Sequence, residues 1–342
     1  MARRKAPDED IEIPTVMTAD EIIDKAFRKA SKVSVMDPEQ FYAFRKTLVA
    51  KLGSVSDTIG AVMDKYISSF PSFNSIDPFH QELYRILFSI DEAQMALASL
   101  RWAKGQIATI ARKNCSQMIK SKSKDFIDMK LSEAYGRINS VMQQIKRQLL
   151  FLGHVRDLIR KVPCIDIKLP TIIVAGGPNV GKSQLVRRIS TGKPEVAPYP
   201  FTTKAISVGH FDYKKIRFQV LDTPGLLDRP LSDRNKIELQ AILALRHLTG
   251  AIIFIIDPTE ECGSNLKTQK RILEEIERDF VKDKESKVMI AYNKSDLKER
   301  WVGPVPEGAF PISAETNEGI DTLKEAATKY LYKKVISSGR LF

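Results

Sequence analysis

The chain has 342 residues, of which 43% are hydrophobic and 28% charged, and a net charge of +12. That length and balance describe a globular protein of two domains and exclude a disordered chain, and the longest apolar runs, such as Ala251 to Ile256, are strand-sized and exclude a membrane span. Cys115, Cys164 and Cys262 are odd in number and far apart, which argues for reduced structural thiols over a disulfide framework or a zinc site. The excess of Lys and Arg points to an anionic partner or to a basic solvated surface.

The amino terminus, Met1-Ala2-Arg3-Arg4-Lys5 followed by Asp8-Glu9-Asp10, lacks the apolar stretch of a secretory signal, so the cytoplasm is the expected compartment. Thr18 precedes Glu21 by three residues, a capping-box spacing that predicts a helix over Ala19 to Ser31, broken near Asp37-Pro38. A second helical stretch, weakened by Gly53 and Gly60, stops before Pro71. Pro78 opens a third, in which Leu83, Leu87, Ile90, Leu97, Leu100, Ile107 and Ile110 keep one stripe. Ile127, Leu131, Ala134, Ile138, Val141, Ile145, Leu149, Leu152, Val155 and Ile159 then repeat alternately by three and four, a long seam of period 3.5. Helices of roughly 35 residues, about 50 Å each, predict an antiparallel hairpin in an all-α bundle whose stripe is core.

Between Arg101 and Lys161 there are 14 Lys or Arg against 4 Asp or Glu. Arg101, Lys104, Arg112, Lys113, Lys120, Lys122, Lys124, Arg137, Lys146, Arg147 and Arg156 are expected on outward faces, suited to phosphate contacts along RNA, although exposed helix faces also choose such residues for solubility. Trp102 can stack on a base, but a lone aromatic at helical spacing is expected to be packed. Pro163 and Pro170 bracket a junction, so residues 1–167 are expected to form the helical bundle, 168–334 a second domain and 335–342 a short tail.

Beyond the junction, strand-like runs alternate with helical periods. Thr171 to Ala175, Ala205 to Phe211, Ile216 to Leu221, Ala251 to Ile256 and Val288 to Tyr292 read as strands; Lys236 to Leu248 and Leu266 to Phe280 read as helices. This order predicts an α/β fold, a mixed, mainly parallel sheet with helices on both faces and its ligand at the carboxyl ends of the strands. The first strand runs into Gly176-Gly177-Pro178-Asn179-Val180-Gly181-Lys182-Ser183, which fits G-x-x-x-x-G-K-[ST]. The glycines let backbone N–H groups close around phosphates at the start of a helix over Lys182 to Ser190. Lys182 can reach the β and γ oxygens, and Ser183 can hold Mg²⁺. A polar loop, Tyr199-Pro200-Phe201-Thr202-Thr203, follows, and one of its threonines is expected to complete the Mg²⁺ shell.

The strand ending at Leu221 leads into Asp222-Thr223-Pro224-Gly225, which puts a carboxylate where it can bind Mg²⁺ through water and Gly225 near the γ-phosphate. The strand ending at Tyr292 leads into Asn293-Lys294-Ser295-Asp296. Asp296 can accept from guanine N1–H and the 2-amino group, a donor pair that adenine lacks, so GTP and GDP are the expected nucleotides. Asn293 is expected to tie this loop to the phosphate loop and the stem of Lys294 to cover the base. Ser313-Ala314-Glu315 can present backbone N–H groups to guanine O6. The expected site is thus Asn179, Val180, Gly181, Lys182, Ser183, Gln184, Asp222, Asn293, Lys294, Asp296, Ser313, Ala314 and Glu315 around the nucleotide, with Lys182, Thr203 and Gly225 as its catalytic members.

Gly177 to Ser183, Val196 to Lys204, Val208 to Tyr213, Asp222 to Leu231, Arg234-Asn235, Glu260 to Gly263, Ile76 to Phe79 and Val155-Arg156 together resemble the Obg-related GTPases, more narrowly the nucleolar GTP-binding protein 1, or Nog, family. The resemblance covers roughly Phe70 to Thr322 and is most specific in the second half. It implies a GTPase that acts in large ribosomal subunit assembly, with the helical domain docking on ribosomal RNA, and this chain looks like a compact archaeal-type member. From the spacing in related proteins, Thr203 is favoured over Thr202 as the Mg²⁺ ligand. Leu226 stands where many small GTPases carry a water-orienting glutamine, which implies slow hydrolysis without K⁺ or an activating partner. In related GTPases an asparagine at the place of Asn179 helps hold a monovalent cation, usually K⁺. Gln184 departs from the Ser or Thr common after Ser183, and the basic run of the last long helix is thinned around Lys130 and Arg137. Two rivals stand beside the switch: an RNA-docked assembly factor in which GTP is structural, and a regulatory GTPase with a protein partner and no RNA.

Overall fold

The computed structural model describes residues 13–162, 165–197, 199, 205–229, 233–248, 250–280 and 286–337. These residues fall into two compact units, one of those in 13–76 and 88–160, the other of those in 77–87 and from 161 to 337. No helix among the described residues is long and apolar enough to cross a membrane.

The first unit is helical. Its α1 (Ala19–Ser31) starts on a capping box: Thr18 N–H donates to Glu21 Oε2 at 2.7 Å, and Thr18 Oγ1 accepts from Glu21 N–H at 3.3 Å. Such a cap contributes about 1 kcal/mol, and buried Ile22, Ile23 and Ala26 fix the helix on its neighbours. The next helix, α2 (Gln40–Ser69), runs through both Gly53 and Gly60. Beyond the short α3 (Pro78–Leu87), the unit continues with α4 (Ile90–Lys120), α5 (Lys124–Gln144) and α6 (Lys146–Ile159). Helices α2 and α4 are antiparallel: Arg45 donates to the Ser121 carbonyl, Lys104 pairs with Asp64 at 2.7 Å, and Gln94 donates to Asn74. A three-residue turn, 121–123, folds α5 back along α4.

Two expectations change here. The stripe from Leu83 to Ile110 belongs to two helices, because Phe88 leaves the helical path to meet Phe73 and Ser89 restarts it by accepting from Glu92 N–H at 3.2 Å. Its first part, α3, belongs to the second unit. The period-3.5 seam is likewise interrupted at Ile145 (φ −98°, ψ 8°), yet Ile127, Ala134, Ile138, Val141, Ile145, Leu149, Leu152, Val155 and Ile159 are all buried across the break.

Most of the basic side chains singled out above do lie outward, but two residues differ. Arg156 is spent inside the unit: its guanidinium donates to the Ile13 carbonyl at 3.1 Å and to Thr15 Oγ1, and pairs with Asp157 at 2.7 Å. Trp102 is 46% exposed rather than packed. Lys146 pairs with Asp20 and Arg137 with Glu133, whereas Arg101, Arg112, Lys113, Lys120, Lys122 and Arg147 are exposed and make no ion pair among the described residues.

The second unit is built on a seven-stranded sheet of order β2-β3-β4-β1-β5-β6-β7. Its strands are β1 (Thr171–Gly176), β2 (Glu195–Ala197), β3 (Ile206–Tyr213), β4 (Ile216–Asp222), β5 (Gly250–Ile256), β6 (Lys287–Tyr292) and β7 (Phe310–Pro311). β2, β3 and β4 pair antiparallel, and β4, β1, β5, β6 and β7 run parallel. β2 is not among the expected strands: it is a three-residue edge strand beside Pro194 whose Val196 is 71% exposed, so it carries no alternation signal. α7 (Lys182–Ile189) and α10 (Ile320–Ser337) pack on one face over Ile172, Val174 and Ile253. α8 (Lys236–Ala244), α9 (Leu266–Phe280) and α3, through Phe79 and Leu83, share the other core with Ile173, Ile252 and Phe254. β1 therefore sits at the switch point, with helices on both faces and the following loop at the carboxyl edge.

Candidate nucleotide-binding site

The β1–α7 loop is a cradle shaped by its glycines. Gly181 has φ 101°, and a Cβ there would collide with the Asn293 amide nitrogen, so no other residue fits between the two loops. Asn179 also lies in the left-handed region at φ 58°. Lys182 opens α7 with a buried side chain whose ammonium donates to the carbonyls of Gly176 at 2.9 Å and Gly177 at 2.5 Å. It thus spans the mouth of the loop.

Across the sheet edge, Asn293 joins three segments. Its backbone N–H donates to Ile256, its Nδ2 donates to the Val180 carbonyl at 2.8 Å, and its Oδ1 accepts from Ala314 N–H at 2.9 Å. Ala314 N–H is therefore engaged by Asn293. Ser313 Oγ donates to Asp296 Oδ1 at 2.5 Å and accepts from Thr316 N–H, which orients the carboxylate. Gln184 donates to Glu315, and Arg188 donates to the carbonyls of Ala314 and Glu315, so α7 itself holds the 313–315 loop. A cavity of about 210 Å³ results, into which Asn179, Val180, Gly181 and Gln184 face Asn293, Lys294, Asp296 and Glu315, with Leu297 completing the wall.

Asp222 ends β4 on the other side of β1, with 1% exposure. Burial pushes its carboxyl above the usual carboxylate range, against a hydrogen bond from Ser183 and the nearby charges of Lys182 and Arg187. Its Oδ1 has no hydrogen-bond partner among the described residues. A buried carboxylate with an orphaned oxygen beside a serine hydroxyl fits Mg²⁺, which commonly takes one or two carboxylates and fills its shell with water and phosphate oxygens. No cluster of three His, Cys, Asp or Glu that could hold a metal by itself is present among the described residues. Gly225 follows with φ 80°. Thr202 and Thr203 lie outside the described residues, as do Phe201 and Lys204.

Two groups in this site are not among the site residues expected from the sequence. Asp257, at the end of β5 and with 0% exposure, accepts from Thr259 N–H and Oγ1 and from Cys262 N–H, and pairs with Lys294 at 2.8 Å. Burial alone would raise its carboxyl; the bonds from Lys294 and Thr259 hold it below the usual range. Gln269 on α9 closes this network, accepting from Asp257 N–H and donating to the Asp257 and Ser264 carbonyls. The available signal was a lone acid directly after the wholly apolar β5. The second group is Arg234, whose guanidinium donates to the carbonyls of Gly225 at 2.7 Å and Leu226 at 2.8 Å.

A family model described as the NOG1 N-terminal helical domain matches residues 11–166, and one described as a 50S ribosome-binding GTPase matches residues 171–294. The uncharacterized protein MJ1408 of Methanocaldococcus jannaschii is 34% identical over 289 residues, covering 83% of this chain and 80% of that one. The nucleolar GTP-binding protein 1 of Saccharomyces cerevisiae is 32% identical over 290 residues, which are 84% of this chain and 44% of the yeast protein. The chain spans less than half the length of that relative. A structure from Plasmodium falciparum ascribed to nucleolar GTP-binding protein 1 is 33% identical, covering 52% of this chain and 93% of that one at a TM-score of 0.45.

Proposed function

The chain belongs to the nucleolar GTP-binding protein 1 (Nog) family of Obg-related GTPases, and from that premise we propose that it binds GTP and GDP and hydrolyses GTP as a Mg²⁺-dependent switch in large ribosomal subunit assembly. The observation that carries the nucleotide reading is the cavity in which the phosphate loop faces Asn293, Lys294 and Asp296. Asp296, oriented by Ser313, accepts from guanine N1–H and the 2-amino group, and the Lys294 stem covers the base. Lys182 exchanges the Gly176 and Gly177 carbonyls for β and γ oxygens. Ser183, Asp222 and Thr203 are the residues that would hold Mg²⁺, which when bound neutralises phosphate charge. Asn179, with an amide oxygen and no formal charge, suits a weakly held K⁺. Hydrolysis that runs no faster in K⁺ than in Na⁺, with any activating partner present, removes that role.

Binding of GTP, GDP, ATP and XTP to the wild-type protein and to Asp296→Asn tests the base assignment. The variant should lose GTP affinity by about 100-fold and gain XTP affinity, because an amide cannot accept from both guanine donors. Unchanged base selectivity would refute it.

The exposed basic residues of α4 and the turn after it, among them Arg112, Lys113 and Lys122, support docking on ribosomal RNA or a large-subunit precursor. Salt-dependent co-sedimentation with large subunits, with GTP and GDP in parallel, tests it; no binding at low salt defeats it. Leu226 favours a second reading, in which the nucleotide is mainly structural: its side chain is 0% exposed and cannot orient an attacking water. Co-sedimentation indifferent to the nucleotide supports that reading. We place the activity in the cytoplasm of a cell without a nucleus; the relatives' names speak of the nucleolus for those proteins.

A further inference from the structure

The segment after Asp222 is a closed knot. Leu226 and Leu227 are fully buried, and the Leu227 carbonyl accepts from Gly176 N–H at 3.1 Å, which ties the segment to the start of the phosphate loop. Within the knot, Gly225 N–H donates to Asp228 Oδ2 at 3.0 Å. The other oxygen of that carboxylate, Oδ1, accepts from Arg234 at 3.0 Å, and the same guanidinium grips the carbonyls of Gly225 and Leu226 at 2.7 and 2.8 Å. The Arg234 side chain is 4% exposed and that of Asp228 14%. One buried cation therefore holds a carboxylate against one particular backbone donor.

In the reading above, Gly225 is the glycine beside the γ-phosphate, and its N–H is the donor that group would take. One N–H cannot serve two anions at full strength. We propose that Asp228 is an internal competitor for the Gly225 N–H, that Arg234 is the residue that positions it, and that the pair sets the preference between GTP and GDP. This rests on the GTP-binding reading and adds a specificity element to it. GDP leaves the Gly225–Asp228 bond in place; GTP has to displace it.

Asp228→Asn tests the competition with little change of shape. An amide offers a single oxygen, the charged Arg234 claims it, and the NH₂ group then opposes Gly225 N–H, which frees that donor. Affinities for GDP and for a non-hydrolysable GTP analogue are measured on the purified full chain with Mg²⁺ present. The variant should bind the GTP analogue about tenfold more tightly and GDP unchanged, the scale of one hydrogen bond to a charged group. A merely structural role would move both affinities together, and an unchanged ratio, or a shift toward GDP, overturns the proposal. Should the variant fail to fold, the wild-type protein carries the test: labelled with ¹⁵N-glycine, its Gly225 amide signal should match between the nucleotide-free and GDP forms and move with the GTP analogue. An equal movement with GDP overturns the proposal. Failure of the wild-type chain to bind either guanine nucleotide is a distinct result, which overturns the underlying reading and this inference with it.

Discussion

Asp222 ends β4 and Asp257 directly follows β5, the two strands that flank β1 in the sheet, and both are buried to within 1% of complete. Their carboxyls are shifted in opposite directions. Asp257 has two backbone N–H groups, a hydroxyl and an ammonium, and its carboxyl is held below the ordinary range despite burial. Asp222 has an oxygen without a partner among the described residues, and burial pushes its carboxyl up. The difference teaches where the site is complete in the protein itself. At the base end the polar side chains have partners within the protein: Asp257 pairs with Lys294, Asn293 bonds Val180 and Ala314, and Ser313 bonds Asp296. At the phosphate end Asp222 has Ser183, Lys182 and Arg187 nearby, yet one of its oxygens is left without a hydrogen bond among the described residues.

The largest expected effect breaks that comparison at the phosphate end. Lys182→Ala removes the ammonium that bridges the Gly176 and Gly177 carbonyls and, in the proposed complex, meets the β and γ oxygens. Affinity for GTP and GDP, measured by calorimetry, should fall by about 100-fold or more, since hydrogen bonds to charged groups contribute about 1.5–3 kcal/mol each. If binding persists within a few-fold, the base end supplies the affinity by itself.

A smaller effect sharpens the base end. Asp257→Asn leaves Lys294 with only its more exposed partner, Glu261 at 3.3 Å, and should lower unfolding stability by about 2 kcal/mol, less than loss of a wholly buried pair because Lys294 is 23% exposed. The sign with pH follows from the depressed carboxyl of Asp257. Its contribution is fully present above the unfolded-state value and is lost as pH falls through the lower folded-state value, where the native carboxylate must finally take a proton. Urea midpoints measured from neutral to acid pH should therefore converge for wild type and variant. A gap that stays constant would mean that the charge of Asp257 contributes nothing.

This contrast also marks what the sequence made legible. Asn293, Asp296, Lys182 and Asp222 could be read directly because each follows a strand at a fixed spacing, and backbone geometry there leaves little choice of residue. Asp257 and Gln269 stand 12 positions apart, on a strand end and a helix, and only folding brings them together. Arg234 could be read as part of a family motif, but its grip on Gly225 depends on a turn whose path no periodicity encodes. The helical unit failed differently. Leu83 and Leu97 fit one stripe, and nothing in that pattern says that Phe88 turns toward Phe73 and passes α3 to the other core. Periodicity reports which face is apolar and is silent on which core will cover it.

The smallest effect runs against intuition and is the sharpest test of Asp222 as a proposed metal ligand. Asp222→Asn replaces a buried, poorly partnered carboxylate with a neutral group of the same shape, so the nucleotide-free protein no longer bears the cost of burying that charge. Without nucleotide the variant should be more stable than wild type by about 1 kcal/mol, seen as a higher urea midpoint with unchanged slope. Saturating Mg²⁺ and GTP should reverse the order, because the wild-type protein then gains a counter-charge for Asp222 that the amide cannot use. The two measurements together separate a ligand site from a structural acid. A carboxylate with a hidden internal partner would make the variant less stable in both conditions, whereas one that waits for a cation makes it more stable in the first and less stable in the second.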